Sequence, residues 1–372
     1  MQQVSQFRLG NGSVLVRAGV KQLFVLNASA SLLWQRLALG DSQTQIAAQW
    51  HEQFGISLTQ AQRDIEQAVM TWRNAGLLGA ALARAPVCPP FYAPVIVPAG
   101  NYQSQNYRVA NALIRVQCSD HALTLAMDNV FVRLRCPQTQ TAQVTLSAWQ
   151  DSAGYHVAQD KQLLVTQTHL DSALNHLHYA LLQQALHSYA WLTVLHAGAV
   201  SRQGQCLLLA GCGGSGKSTL TAALLAQGFS YLSDDLVALD EESLTALPLP
   251  VPLTIKQPSW ALLAPFYPQL DKQHCYQRNG QSVRYLTDPY ALCAAPQTVA
   301  YILFLRLSDH AALRPVEPQA CLQRLMQADL LLPEPFSGER IAPLLTWLQH
   351  TRAYELSYRD TQAALDLIAQ LP

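Results

Sequence analysis

The sequence predicts a multidomain protein of mixed α+β and α/β class: an N-terminal winged-helix-like module, then an antiparallel β layer, then a nucleotide-binding core built on a phosphate loop. Three observations predict it. Residues 211–219 read Gly-Cys-Gly-Gly-Ser-Gly-Lys-Ser-Thr, a complete G-x-x-x-x-G-K-[ST] loop set between the apolar runs 206–210 and 220–225. The pair Asp234-Asp235 follows the loop lysine at 217 after a short run, one helix and one strand long. Residues 1–80 place three short strands before three amphipathic helices. With 372 residues, 50% of them hydrophobic, the chain has room for two or three domains and their cores.

In chain order, residues 7–9, 14–16 and 23–26 read as short strands separated by Gly10-Asn11-Gly12 and Gly19. Asn27 can cap a first helix carrying Leu33, Trp34 and Leu37, because its side-chain oxygen can take an otherwise orphaned helical N–H. Ser42 with Gln45 forms a capping box for a second helix carrying Ile46, Trp50 and Phe54, and Thr59 with Gln62 is expected to repeat it. The third helix sets Ile65, Ala68, Val69 and Trp72 on one face and stops at Gly76-Leu77-Leu78. An exposed edge of such a small sheet can accept an extended peptide by strand addition.

Residues 81–99 hold Pro86, Pro89, Pro90, Pro94 and Pro98 and read as an extended spacer. Between 106 and 165 apolar and polar residues alternate in short strands, expected to form an antiparallel layer, and a helical stretch over 168–193 leads to His196. The loop follows. Gly211, Gly213, Gly214 and Gly216 are expected to let the backbone bend tightly and, with Ser215, aim N–H groups at phosphate oxygens, while the helix start adds positive potential. Lys217 would supply a mobile point charge to the β- and γ-phosphates and Ser218 a hydroxyl to the magnesium they carry, with Thr219 in the first helical turn. A helix over 217–227 rises about 16 Å at roughly 1.5 Å per residue, Gly228 suits the stop, and a strand over 229–233 returns about 16 Å at roughly 3.3 Å per residue. The chain thus climbs back beside the phosphates at Asp234 and Asp235. Adjacent residues at a strand end point opposite ways, so one carboxylate can hold the metal while the other faces an incoming hydroxyl. Further on, a strand is expected over 299–307, and helices alternate with a short strand at 353–358 in the tail.

The Leu195-His196-Ala197-Gly198-Ala199-Val200 segment, the loop, and Tyr231-Leu232-Ser233-Asp234-Asp235-Leu236-Val237 together resemble the bacterial HPr serine kinase/phosphatase family, whose nucleotide fold is shared by phosphoenolpyruvate carboxykinase. The resemblance spans about 45 continuous residues, a motif-sized fraction of a domain. It implies phosphoryl transfer from ATP to a hydroxyl, with Asp234 as base, Asp235 and Ser218 on magnesium, and His196 near the γ-phosphate. Thr219 stands where that family carries an acidic residue, so a phosphatase half is not expected. Lys256 and Arg284, each in a short apolar stretch, are the cations that could neutralise transition-state charge, the plain alternative being salt-bridging roles.

Leu23-Phe24-Val25-Leu26-Asn27, residues 30–37 and Asn74-Ala75-Gly76-Leu77-Leu78 resemble the PqqD-type peptide chaperones that recognise ribosomally made precursor peptides. That resemblance implies a leader peptide lying along Leu23, Phe24, Val25 and Leu26 and against the third helix around Asp64, Val69 and Trp72. DNA is disfavoured as the module's ligand, because Arg63 and Arg73 share the third helix with Asp64 and Glu66.

Charge over the whole chain agrees: 24 Lys and Arg balance 24 Asp and Glu, leaving no basic field for nucleic acid or an anionic membrane. No run reaches the length of a membrane span and the start at Met1-Gln2-Gln3 lacks a charged, apolar leader segment, so a cytoplasmic location is expected. Eight cysteines show no C-x-x-C pairing and are expected as free thiols without zinc. The expectation for function is a kinase that phosphorylates a Ser or Thr hydroxyl of a precursor peptide using ATP and Mg2+. Its alternatives are a nucleotide-gated peptide chaperone serving another modifying enzyme, or a small-metabolite kinase. ATP, GTP and pyrophosphate stay open as donors, and so does the oligomeric state.

Overall fold

Strands β1 (Val4–Leu9), β2 (Gly12–Arg17) and β3 (Leu23–Leu26) form an antiparallel meander of order β1-β2-β3. The computed structural model describes residues 4–17, 22–78, 93–286, 290–332 and 335–371. Gly19, expected to separate β2 from β3, lies outside the described residues. Three helices follow, α1 (Ala28–Ala38), α2 (Gln43–Phe54) and α3 (Leu58–Asn74). Asn27 caps α1 through Ala30 N–H, and Ser42 with Gln45 makes the complete capping box at α2. At α3 the cap is Ser57, not Thr59, because the helix begins two residues earlier than the apolar pattern implied; the Ser57 hydroxyl accepts from Gln60 N–H at 3.1 Å. Leu33, Trp34, Ile46, Trp50, Ile65 and Val69 meet in one core, where Trp72 sets its ring edge against Trp34 at 5.3 Å between centroids.

Strand β4 (Gln103–Val109), β5 (Ala112–Cys118), helix α4 (His121–Val130), β6 (Arg135–Cys136), β7 (Val144–Asp151), β8 (Gly154–Gln159), β9 (Gln162–Gln167) and helix α5 (Leu170–His187) come next. The six strands pair in the order β6-β4-β5-β7-β8-β9. This layer is mixed rather than wholly antiparallel: β5 and β7 run parallel because α4 carries the chain across between them, as parallel neighbours require. Residues 81–92 of the expected spacer also lie outside the described residues. Pro94 beyond them bridges Gln162 beside β9, and Val95 N–H donates to Lys161 O at 2.8 Å, so this end of the spacer is joined to the layer.

The remaining elements are β10 (Trp191–Leu195), β11 (Ala197–Arg202), β12 (Gln205–Ala210), α6 (Lys217–Ala226), β13 (Ser230–Ser233), β14 (Val237–Asp240), β15 (Thr254–Lys256), α7 (Trp260–Leu263), β16 (Tyr276–Arg278), β17 (Gln281–Tyr285), β18 (Thr298–Leu307), β19 (Ala312–Pro315), α8 (Pro318–Gln327), α9 (Gly338–His350), β20 (Arg352–Tyr358) and α10 (Thr361–Ala369). The main sheet has the order β13-β11-β12-β18-β20-β19, with β12, β18 and β20 parallel. Its central strands β12 and β18 are near-continuous apolar runs, as strands buried on both faces require. A smaller sheet, β15-β17-β16, is antiparallel.

The chain divides into two compact units that do not follow its order: residues 1–88, 316–326 and 332–351 make one, and residues 89–315, 327–331 and 352–372 the other. Helices α8 and α9, far along the chain, therefore group almost wholly with the N-terminal module. Their partners explain it. Gln349 Nε2 of α9 donates to Arg8 O at 3.0 Å, Gln319 Nε2 of α8 donates to Leu26 O at 2.7 Å, and α9 lies so close to β1 that a Cβ on Gly338 would meet Ser5 Oγ at 3.0 Å. The outer side of β1 is thus covered, a usual way to protect a sheet edge. Strand β3, at the other end of that sheet, pairs only with β2 among the described strands. Among the described residues no helix is long and apolar enough to cross a membrane.

Candidate functional site

Strand β11 sits between β12 and β13 and runs antiparallel to both, with Ala197 opposite Ala210 and Ala199 opposite Ser233. The start of β11 and the ends of β12 and β13 therefore share one end of the main sheet. His196 precedes β11, Gly211 follows β12 and Asp234 follows β13, so three segments converge there; the helix-and-strand count predicted the return of Asp234 to the loop.

Between β12 and α6 the backbone takes positive φ at Gly211 (151°), Gly214 (83°) and Gly216 (94°), which only glycine adopts without strain. Gly213 departs from the expectation made for all four glycines. It is exposed, its φ is not positive, and a Cβ there would meet nothing within 4 Å. The turn explains why: Ser215 N–H donates to Cys212 O at 3.2 Å, so Gly213 and Gly214 are the two central residues of a β-turn whose positive φ falls on the second. Gly213 is therefore placed in the loop but is not needed there as a glycine. Gly216 occupies the N-cap of α6 and no side chain caps that end, so the N–H groups of the first turn are left for an anion. A Cβ on Gly216 would lie 2.8 Å from the Tyr358 hydroxyl at the end of β20, which fixes the loop from below. Lys217 folds back and donates to Gly211 O at 2.8 Å and Cys212 O at 3.3 Å. Burial holds its pKa below the usual lysine range, against the pull of Asp234 and Asp235. Ser215 Oγ is buried without a partner. Thr219 faces away from the loop, sharing a hydrogen bond of 2.6 Å with Ser259 Oγ.

Ser218 Oγ donates to Asp234 Oδ2 at 2.8 Å. Asp234 is 2% exposed, and its other oxygen, Oδ1, has no partner. Gly198 makes room for it: a Cβ there would stand 2.6 Å from Thr221 Oγ1 and 3.4 Å from Asp234 Oδ1. Burial, with Asp235 adding repulsion, pushes the Asp234 carboxyl up to about 7, while the Ser218 hydrogen bond, Lys217 and Arg278 act the other way. Asp235 takes φ 69°, and its Oδ2 accepts from Arg278 Nη2 at 3.1 Å, so the two carboxylates do point to different partners. His196 is half-buried, its pKa lowered by burial and then by Lys217, with Asp235, Asp329 and Lys256 acting more weakly.

The cation beside the aspartates is Arg278, whose Nη1 also donates to Thr254 Oγ1 at 2.9 Å. Sequence reasoning missed it and named Arg284 instead. The structure corrects this: Arg284 pairs with Asp271 at 2.6 Å and lies over Trp260, its guanidinium carbon 3.8 Å from the ring centroid. Strand alternation is the reason. Opposite pairs Arg278–Gln281, Tyr276–Val283 and Thr254–Tyr285 share one face, and Arg284, one step from Val283 and from Tyr285, takes the other. The signal was present, since Asn279-Gly280 marks a two-residue hairpin turn with φ 50° and 73° and so fixes the register. Lys256, opposite Val283, falls on the face of Arg278. Beneath this face His178 of α5 is buried edge-on to Phe131, and burial followed by Arg278 drives its pKa down to about 3.

Residues 12–78 match the family described as coenzyme PQQ synthesis protein D (PqqD). The N-terminal module is a PqqD-like domain. In the PqqD-like domain Leu23 and Leu26 are buried, while Phe24 and Val25 are partly accessible on end strand β3. Asp64 is exposed on α3 and accepts from Gln60 Nε2 at 2.7 Å. Val69 and Trp72, expected against a peptide, are instead buried in the domain's own core, because they belong to the apolar stripe that α3 turns inward. The protein is also similar to the Hpr(Ser) kinase/phosphatase from Coxiella burnetii, with 13% sequence identity over 47% of this chain and 91% of that chain and a TM-score of 0.24. No curated protein matches the chain.

Among the described residues no three His, Cys, Asp or Glu side chains gather into a metal cage. The donors present are one hydroxyl and two carboxylates, Ser218, Asp234 and Asp235, one carboxylate oxygen being buried and unpartnered. Such a set fits magnesium carried in on nucleotide phosphates, which takes only one or two protein ligands.

Proposed function

We propose that the protein is a kinase that transfers a phosphoryl group from magnesium–ATP to a Ser or Thr hydroxyl of a ribosomally made precursor peptide, recognised through its leader by the PqqD-like domain. The observation that carries this reading is the buried Asp234, hydrogen-bonded to Ser218 of the loop helix and raised toward neutral pH. A carboxylate that only supported the fold would be expected to be fully paired, whereas this one keeps a free oxygen.

In this reading the uncapped start of α6 and the N–H groups of residues 211–216 bind the phosphates, and Lys217 moves from Gly211 O onto the β- and γ-oxygens. Gly213 contributes its N–H and no special backbone angle. Magnesium, when bound, neutralises charge between those phosphates. Ser218 and Asp235 would hold it, the Ser218 hydroxyl then turning from Asp234. Asp234, at about 7, is poised to take the proton of an incoming hydroxyl near physiological pH. Arg278 supplies the cation for transition-state charge, a role expected of Lys256 or Arg284. His196 lines the γ-phosphate side.

The leader would add to β3 as a further strand, since the opposite edge at β1 is covered by α9, and would run past Phe24, Val25 and the exposed Asp64. Docking there makes phosphoacceptor capture intramolecular at roughly millimolar effective concentration. The test is incubation with magnesium–ATP and a leader-bearing peptide. The expected result is a mass gain of roughly 80 Da, one phosphoryl group, that Lys217→Ala and Asp234→Asn abolish. A gain that survives both changes overturns the assignment.

A further inference from the structure

Strand β18, next to β12 in the main sheet, ends in a leucine that stays open to solvent beside the phosphate loop. Tyr301, Leu303 and Leu305 alternate along β18 on one face and pack in the core that holds α6. Leu307 is the next residue of that row, yet it is 59% exposed. The loop fixes its level: a Cβ on Gly211 would stand 3.3 Å from Leu305 O, so Leu307 lies roughly 7 Å further along the strand than the start of the loop. Across the parallel register its neighbour is Tyr358 of β20, whose hydroxyl lies under Gly216 at the other end of the loop. The turn after Leu307 is also tied to the end of β20, because Ser308 N–H donates to Tyr358 O at 2.9 Å and Arg359 pairs with Asp309 at 2.5 Å. Leu307 is therefore held on a paired strand end, not on a free loop.

The direction of the donor follows from the chemistry. In phosphoryl transfer the attacking and leaving oxygens stand roughly in line across the phosphorus. The attacking hydroxyl comes from the side of Asp234, which follows β13 at one end of the order β13-β11-β12-β18-β20-β19. The leaving oxygen, with the rest of the donor behind it, therefore points from the loop toward the ends of β18 and β20. Ligands of open α/β sheets occupy the crevice outside the carboxyl ends of the strands, and β12, β18 and β20 run parallel and end on that side.

We infer that Leu307 is the floor of the donor's nucleoside subsite: a purine base lies on its exposed side chain, with the Asp309–Arg359 pair at its edge. That pair offers one acceptor and one donor to the amino and ring-nitrogen groups of the base. Resting on residues 211–219 as the phosphate site, the assignment makes the donor a purine nucleoside triphosphate rather than an inorganic polyphosphate. A base that covers an exposed leucine takes apolar surface from water, which is worth about tenfold in affinity.

Calorimetry on the full chain with Mg2+ compares ATP with tripolyphosphate, which offers the loop the same number of phosphates without a nucleoside. The wild type is expected to bind ATP at least about tenfold more tightly. Leu307→Asn, a change at an exposed position, should weaken ATP about tenfold and tripolyphosphate less than about twofold, whereas Lys217→Ala should weaken both. Three results overturn the subsite: equal affinity of the wild type for the two ligands, an unchanged Kd for ATP in Leu307→Asn, or a parallel loss of both ligands in that variant. ATP binding that meets the expectations without any phosphorylation of peptide overturns the kinase reading alone. A wild type that binds neither ligand overturns both.

Discussion

Replacing Asp234 by Asn should stabilise the protein while abolishing its chemistry, and the size of the gain should depend on pH. Burial raises this carboxyl from 3.8 to about 7. Below about 4 it is protonated in folded and unfolded chains alike and costs nothing. As pH rises, the unfolded chain ionises first, so stability falls until the folded carboxyl also ionises near 7. Three pH units at about 1.4 kcal/mol each put the full penalty on the order of 4 kcal/mol above pH 7. Asn removes the titration and keeps an acceptor for Ser218. Denaturant unfolding in EDTA at pH 4.5 and pH 8 measures the effect: the variant's gain should be small at the lower pH and several kcal/mol at the higher. Phosphoryl transfer by the same variant should drop by about 10² to 10⁴, the usual worth of a general base. A gain equal at both pH values would refute the raised carboxyl, and with it the argument that this residue is held strained for function.

Three further outcomes follow from the same geometry. Gly216→Ala forces φ 94° on a side chain and a contact of 2.8 Å with the Tyr358 hydroxyl, so nucleotide Kd by calorimetry should rise at least about tenfold, whereas Gly213→Ala should leave it within about twofold; adding Tyr358→Phe to Gly216→Ala should recover only part of the loss, since the backbone strain remains. Arg278→Lys should lower kcat about a hundredfold, whereas Arg284→Lys should leave kcat alone and cost about 1 kcal/mol or less of stability; equal losses in kcat would contradict the assignment of faces. Trp72→Ala should cost about 3–5 kcal/mol in thermal unfolding and leave the leader affinity of the folded fraction unchanged, because its ring packs on Trp34 rather than facing outward.

What could be read in the sequence was what short-range physics decides. The loop at 211–216, the caps at Asn27 and Ser42 and the return of the chain to Asp234 each depend on a dozen residues or fewer of local geometry, and the structure has them. Within the loop Gly213 was overread, since adjacent glycines leave open which of the two takes the left-handed turn position, and Gly214 takes it. The cap at Ser57 was displaced by two residues because Ser57 and Thr59 both carry a capping hydroxyl. Arg278 was legible through the Asn279-Gly280 turn, but only by carrying strand alternation across the hairpin, since both arginines look alike in an apolar stretch. Val69 and Trp72 show the opposite error, a stripe read as a binding face that the domain needed for its core. The seating of α8 and α9 on the N-terminal sheet depends on pairings hundreds of residues apart, such as Gln319 with Leu26, and no local periodicity encodes it.

The fate of the γ-phosphate tests the central claim most directly. With γ-32P-labelled ATP, magnesium and a leader-bearing peptide, the account predicts label on a Ser or Thr of the peptide core, lost in Lys217→Ala and far slower when the leader is removed. Label that appears only as free phosphate, or stays on the nucleotide while the peptide is bound, would contradict it.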